Sequence, residues 1–94
     1  MFKAAYQEIE GESSEEAVVK FFHGVGIKPV PCATLEEVVL KVEKREVEYG
    51  FIPLENQNLI KKQNLYKIYD FEYPRKGTKE GCATFAIFRI KEGY

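Results

Sequence analysis

Tryptophan is absent from this chain, histidine occurs once, at His23, and cysteine twice, at Cys32 and Cys82. The two cysteines lie about fifty residues apart with no CxxC spacing, so no metal site is expected. Both stand in apolar stretches, where a free thiol behaves as a small hydrophobe, and in a reducing compartment no disulfide is expected between them. No apolar run approaches the roughly 20 residues of a membrane-spanning helix. The opening residues "MFKAAYQEIEGESSEE" lack the apolar core of a signal peptide, and a cytoplasmic protein is expected. Neither charge sign is in excess: 14 basic and 15 acidic side chains leave a net charge of −1. A nucleic-acid partner needs a basic excess on one face, so none is expected, and no membrane partner either. The sequence contains no serine-centred elbow, no glycine-rich phosphate loop and no metal-ligand cluster, and no cofactor is expected.

What is present suffices for one small domain spanning residues 1–94. Apolar residues make up 45% and charged residues 31% of the chain. A domain of this size buries a modest share of its surface and gains stability by associating.

Phe2–Tyr6 reads as a first strand. Ser13, with Glu16 three residues on, fits a capping box for a helix whose apolar stripe is Ala17, Val18, Phe21, Phe22 and Val25, stopped by Gly24 and Gly26. "IKPVPC" is a second short strand, and its prolines suit an edge or a strand end better than a central stretch. Thr34 and Glu37 form another capping box, opening a helix that buries Leu35, Val38, Val39 and Val42 and turns Glu36, Lys41 and Lys44 to solvent. "VEYGFIPL" is apolar on both faces and belongs inside a sheet. This β-α-β-α-β order predicts an α/β fold with a mostly parallel sheet and right-handed crossovers. "NLIKKQ" reads as a short helix or a loop. Leu65–Tyr73 alternates loosely, as a half-exposed strand would. "PRKGTKEG" is a turn. Cys82–Ile90 places Thr84, Ala86, Phe88 and Ile90 on one face and Phe85, Ile87 and Arg89 on the other, the pattern of a central strand. Residues 65–90 would be a hairpin closing the sheet.

His23, at the end of the first helix, is placed to favour the helix dipole as a cation rather than to act as a base. Two stretches are candidates for a site. The loop "EIEGESSEE" follows a strand end and precedes a helix, where open α/β sheets bind ligands. Ordinary capping by Ser13 or Ser14 explains it equally, and Glu8, Glu10, Glu12, Glu15 and Glu16 would repel an anion. Glu55-Asn56 follows the third strand, on the same sheet edge if that strand is parallel to the first. The pair either lines a crevice shared with the first loop, or Asn56 caps or turns the chain.

The same stretches resemble the prephenate dehydratase family. "YQEIEGESSEEAVVKFF" is similar to that family's opening, which commonly reads Tyr-Leu-Gly-Pro-x-Gly-(Thr/Ser)-(Phe/Tyr)-Ser-x-x-Ala, with Tyr6, Gly11, Ser14 and Ala17 in register. "VPCATLEEVVLKVEKREVEYGFIPLEN" resembles the stretch that follows. Its most specific part is Tyr49-Gly50-Phe51-Ile52-Pro53-Leu54-Glu55-Asn56, and the similarity covers residues 2 to 56. The resemblance implies a lobe of a type 2 periplasmic-binding-like fold, in which two α/β lobes flank a cleft where prephenate loses water and carbon dioxide to give phenylpyruvate, a step toward phenylalanine. Ser14, Glu55 and Asn56 match positions that face that cleft.

The chain departs from the family where the chemistry is expected. Gln57 stands in place of the family's serine, and residues 57–64 mark where its second lobe is missing. The family's Gly-Pro pair is Glu8-Ile9 here. Aligning its Thr-Arg-Phe motif on Phe85 puts Ala83 at the threonine, held to be catalytic, and Thr84 at the arginine. No regulatory ACT-type domain is expected. These departures predict a single-lobe relative without dehydratase activity that binds an aromatic amino acid or related metabolite, or a partner protein. Its expected ligand contacts are Ser13, Ser14, Glu55, Asn56 and Thr84. A homodimer, or a partner covering the open cleft face, is expected. The alternative is an active prephenate dehydratase, a carbon–oxygen lyase, assembled from two chains or with a separate lobe, in which the Thr84 hydroxyl helps the leaving group.

Overall fold

The structure is a computed structural model that describes residues 2–10, 12, 14–23, 25–62, 64–74 and 81–91. The elements run β1 (Phe2–Gln7), α1 (Ser14–Phe21), β2 (Ile27–Cys32), α2 (Leu35–Glu43), β3 (Tyr49–Pro53), a 3-10 segment (Leu54–Ile60), β4 (Leu65–Pro74) and β5 (Cys82–Ile90). They build one five-stranded sheet in the order β2-β1-β3-β5-β4. β1 runs parallel to β2 and to β3, whereas β5 is antiparallel to β3 and to β4, so the α/β sheet is mixed. The parallel half is the predicted β-α-β-α-β unit, and the antiparallel half is the predicted hairpin.

The two faces carry separate cores. On one, Val38, Val39 and Val42 of α2 pack over Ala5, Ile52, Ala86 and Phe88. On the other, Ala17 and Val18 of α1 pack over Ala4, Tyr6, Phe51, Phe85 and Ile87. Alternate residues of each strand serve alternate faces, as the period of two demands. The helices therefore flank the sheet in three layers. β2 is an edge strand, where Pro29 and Pro31 leave no ladder hydrogen bond unmade on an inner side. β3 lies inside, between β1 and β5.

Local chemistry sets the helix ends. Thr34 Oγ1 accepts from the Glu37 N–H at 3.1 Å, while Glu37 Oε1 accepts from the Ala33 N–H at 2.7 Å, one residue before the partner a standard capping box would use. At the other end Arg45 adopts φ 60, its N–H donates to Val42 O, and the Glu46 N–H donates to Lys41 O. This is a Schellman closure with arginine where glycine is usual.

Several expectations are corrected. α1 ends at Phe21, so Val25 is not on its stripe and is exposed. Ser13, Gly11 and Gly24 lie outside the described residues. Cys82 is exposed at the start of β5 rather than buried in an apolar setting, while Cys32 is buried, and both thiols are free. β4 is mostly exposed, and a bulge between Lys67 and Tyr69 breaks its alternation. His23 lies in the turn beyond α1, its N–H donating to Lys20 O at 3.2 Å. Among the described residues no helix is long and apolar enough to cross a membrane.

Candidate functional site

β1 and β3 are parallel neighbours, so their C-terminal ends share one edge of the sheet. β5 is antiparallel to β3, and Pro53 pairs with Phe85, which brings the beginning of β5 to the same edge. The chain leaves β1 there, passes residues 8–12 and enters α1 at Ser14. It leaves β3 there as well, directly into the 3-10 segment. A crevice of about 180 Å³ opens between them, lined by Ser14, Glu55 and Thr84 together with Glu12, Ile9, Pro53 and Phe85. A wider crevice of about 420 Å³ adjoins it, sharing Ser14, Glu12 and Ile9, and is lined further by Tyr6, Glu8, Glu10 and Glu15.

Three of the five predicted contacts therefore meet. Ser14 comes from α1, Glu55 from the 3-10 segment and Thr84 from β5. Asn56 does not line this crevice. It sits inside the 3-10 segment at φ −106, ψ 16, and the cap position before that segment is Pro53, with no side-chain cap, so Asn56 is not its cap either. Ser13 lies outside the described residues. Sequence reasoning missed Ile9 and Pro53 as walls of the crevice. Their apolar character alone carried no signal: Pro53 ends β3 and Ile9 follows β1, and the parallel pairing of those strands brings them to one edge.

The electrostatics are one-sided. Glu8, Glu10, Glu12, Glu15 and Glu55 line the two crevices, and among the described residues no lysine, arginine or histidine lines either. Arg89, the one arginine of β5, lies five residues from Thr84, about 17 Å along the strand. Its guanidinium sits over the Tyr49 ring, 5.7 Å from the centroid. The crevice therefore offers a threonine and a serine hydroxyl, carboxylates and an apolar wall, and among the described residues no cation to hold a carboxylate. Among the described residues no group of metal-ligating side chains gathers.

Burial raises the Tyr6 hydroxyl above its ordinary value, and the Glu15 and Glu8 charges raise it further. Burial likewise pushes the Cys32 thiol up, with Glu37 adding to the effect and Lys41 opposing it. The folded state holds both protons more tightly than the unfolded chain. The stability this contributes is complete at neutral pH and is lost as pH rises past the ordinary values, 9.0 for Cys32 and 10.0 for Tyr6, and on through the folded ones. The midpoint of urea unfolding should therefore fall progressively above pH 9, and Cys32→Ala should remove the earlier part of the fall. A midpoint that stays flat to pH 11, about two units above the ordinary thiol value, would contradict this.

Residues 4–59, more than half the chain, match the prephenate dehydratase family, and the chain belongs to it. Over 54 residues it is 33% identical to the bifunctional chorismate mutase/prephenate dehydratase of Aquifex aeolicus (strain VF5), a match that covers 57% of this chain and 15% of that protein. The fold is similar to that of GqqA, whose solved structure is described as a novel type of quorum quenching acylase. The TM-score is 0.75 over 98% of this chain and 49% of that one, at 16% identity. The fold is thus a small lobe of the periplasmic-binding-like kind. The chain spans 15% of its curated relative and about half of its structural one.

Proposed function

We propose that this member of the prephenate dehydratase family binds a small aromatic metabolite in the crevice at the sheet edge and does not dehydrate prephenate. The observation that carries this is the meeting of Ser14, Glu55 and Thr84, from three separate elements, in one crevice. The carboxylates around it argue against turnover. Prephenate brings two carboxylates of its own, and each needs a cation or a cluster of N–H donors. Ala83 in the position of the family's threonine removes the hydroxyl held to be catalytic there. Between β3 and β4 stands the 3-10 segment Leu54–Ile60, and among the described residues no second lobe covers the crevice to supply the water exclusion such chemistry relies on.

The test is a titration of the protein with phenylalanine and tyrosine, followed by amide chemical shifts. Saturable shifts at Ser14, Glu55 and Thr84 are expected, weakened by Glu55→Ala and Thr84→Ala and unchanged by Asn56→Ala. Glu55 is exposed, so its substitution should alter stability by no more than about 0.5 kcal/mol. Shifts that ignore both substitutions would place the ligand elsewhere. A second reading, a dehydratase completed by another chain, is favoured by one observation: Thr84 stands in the crevice beside Glu55.

Self-association belongs to the proposal. β4 is an edge strand, and it exposes Tyr66, Ile68 and Tyr69, the last at 55%. Such an edge pairs readily with another chain. Light scattering should give the mass of a dimer, and Tyr69→Glu should shift it to the monomer. A monomer at high micromolar concentration would remove this part of the proposal.

A further inference from the structure

We infer that a second copy of this chain adds to the β4 edge antiparallel and in one register, with the twofold axis passing between Ile68 and Tyr69. The inference rests on the self-association proposed above and goes on to fix which residues meet. β4 ends the sheet, and among the described residues no strand pairs with its outer side. Tyr66, Lys67, Ile68, Tyr69 and Asp70 are all exposed. The bulge selects the register. Before it, Tyr66 stands opposite Arg89 and Lys67 opposite Phe88; after it, Tyr69 stands opposite Ile87, Asp70 opposite Ala86 and Phe71 opposite Phe85. Ala86 and Phe88 belong to the core under α2, Phe85 and Ile87 to the core under α1. Arg89 lies over Tyr49, on the α1 side as well. Lys67 and Asp70 therefore share the α2 face, although three residues apart they would lie on opposite faces of a regular strand. Their ion pair, Lys67 Nζ to Asp70 Oδ1 at 3.0 Å, follows from this.

The faces thus read the same from either end of this stretch: Tyr66 and Phe71 on the α1 side, Lys67 and Asp70 between them on the α2 side. An antiparallel copy centred there meets it with these faces matched, as strand pairing demands. Tyr66 is set against the partner's Phe71, ring on ring, and Lys67 against the partner's Asp70. Each Lys67 then lies between two aspartates and each Asp70 between two lysines, a closed ring of alternating charge. Gln57 Oε1, accepting from Lys67 Nζ at 3.1 Å, holds the lysine on that face. A shift by one residue sets α1-side chains against α2-side chains. The register centred on Phe71, which lies wholly beyond the bulge, sets Asp70 against the partner's Glu72, like charge against like. A bulge on an edge often keeps other strands away. Here the axis runs through both bulges at once, so the two strands bend alike.

Charge reversal tests the register, with the whole chain at neutral pH and low salt and sedimentation velocity over a micromolar concentration series as the readout. Lys67→Asp sets acid against the partner's acid at both cross-strand pairs, and Asp70→Lys sets base against base. Each variant should raise the dimer dissociation constant at least about tenfold, since two pairs turn from attraction to repulsion. Both positions are exposed, so each variant should keep the parent's far-UV circular dichroism. An equimolar mixture of the two variants should assemble as a heterodimer near the parent's affinity, because both cross-strand pairs are again of opposite charge. Lys67→Asp combined with Asp70→Lys in one chain should likewise restore the dimer. Single variants that dimerise like the parent, or a mixture that stays monomeric while the parent dimerises, overturn the register and leave the self-association standing. A parent that is monomeric throughout the series overturns both.

Discussion

Gly50→Ala should destabilise the protein by about 3 kcal/mol, at the upper end of overpacking costs. A methyl group on Gly50 would fall inside the van der Waals envelope of the Phe88 ring and lie 3.0 Å from Val42 Cγ2. The usual escape, a small movement of a flexible neighbour, is closed. Phe88 and Val42 are both fully buried, and Gly50 itself pairs with Phe88 across the β3–β5 ladder. The glycine of Tyr49-Gly50-Phe51 is therefore a packing requirement: the backbone of β3 supplies the floor on which the Phe88 ring rests. Phe88→Leu withdraws the ring and should make the double variant more stable than the sum of the single costs by about 1 kcal/mol or more. Chemical denaturation of the three variants measures this. A Gly50→Ala protein within about 0.5 kcal/mol of the parent would show that the sheet can shift to accept a methyl group.

Phe51→Ala should cost more, about 3–5 kcal/mol, through lost burial and the cavity left behind. Phe51 is 1% exposed on the inner strand β3. Its ring meets Phe21 edge-on at 6.0 Å, Phe22 at 6.0 Å and Phe85 at 6.2 Å, and so ties α1 to β5 across the sheet. Domains of this size are stable by only about 5–15 kcal/mol, and a loss of that order removes a large share. The urea midpoint should drop sharply with little change in slope. A loss below about 1 kcal/mol would mean that neighbouring rings collapse into the vacated space.

The contrast between these positions shows what the sequence made legible. Strictly patterned stretches read correctly. Thr34 with Glu37 marked the start of α2, the prolines of β2 pointed away from a central position, and the alternation of Cys82–Ile90 assigned Phe88 and Phe85 to opposite faces. Each of these rests on local chemistry or on a period of two. Features set by longer-range packing were not legible. Nothing local marks Arg45 for a left-handed conformation, because arginine has no preference for it. The bulge before Tyr69 and the exposure of Cys82 follow from the twist and end of an edge hairpin.

The site divides in the same way. Parallel β1 and β3 ending on one edge were implied by the element order, and that alone brings Ser14 near Glu55. Thr84 joined them through the resemblance and the antiparallel return of β5. Asn56 did not, because the chain turns immediately into a 3-10 segment that carries it away from the crevice. In that tight helix adjacent residues point about 120° apart, so a polar pair contiguous in sequence need not act as a pair.

The central claim is that this crevice has kept a place for a ligand without keeping the dehydratase reaction. The most direct measurement is incubation of the purified protein with prephenate at neutral to mildly alkaline pH, following phenylpyruvate, with acid avoided because prephenate breaks down in it unaided. The account predicts no phenylpyruvate above the buffer control, for the parent protein and for Thr84→Ala alike. Turnover in the parent that Thr84→Ala abolishes would contradict it and show that the lobe builds a working site by assembly.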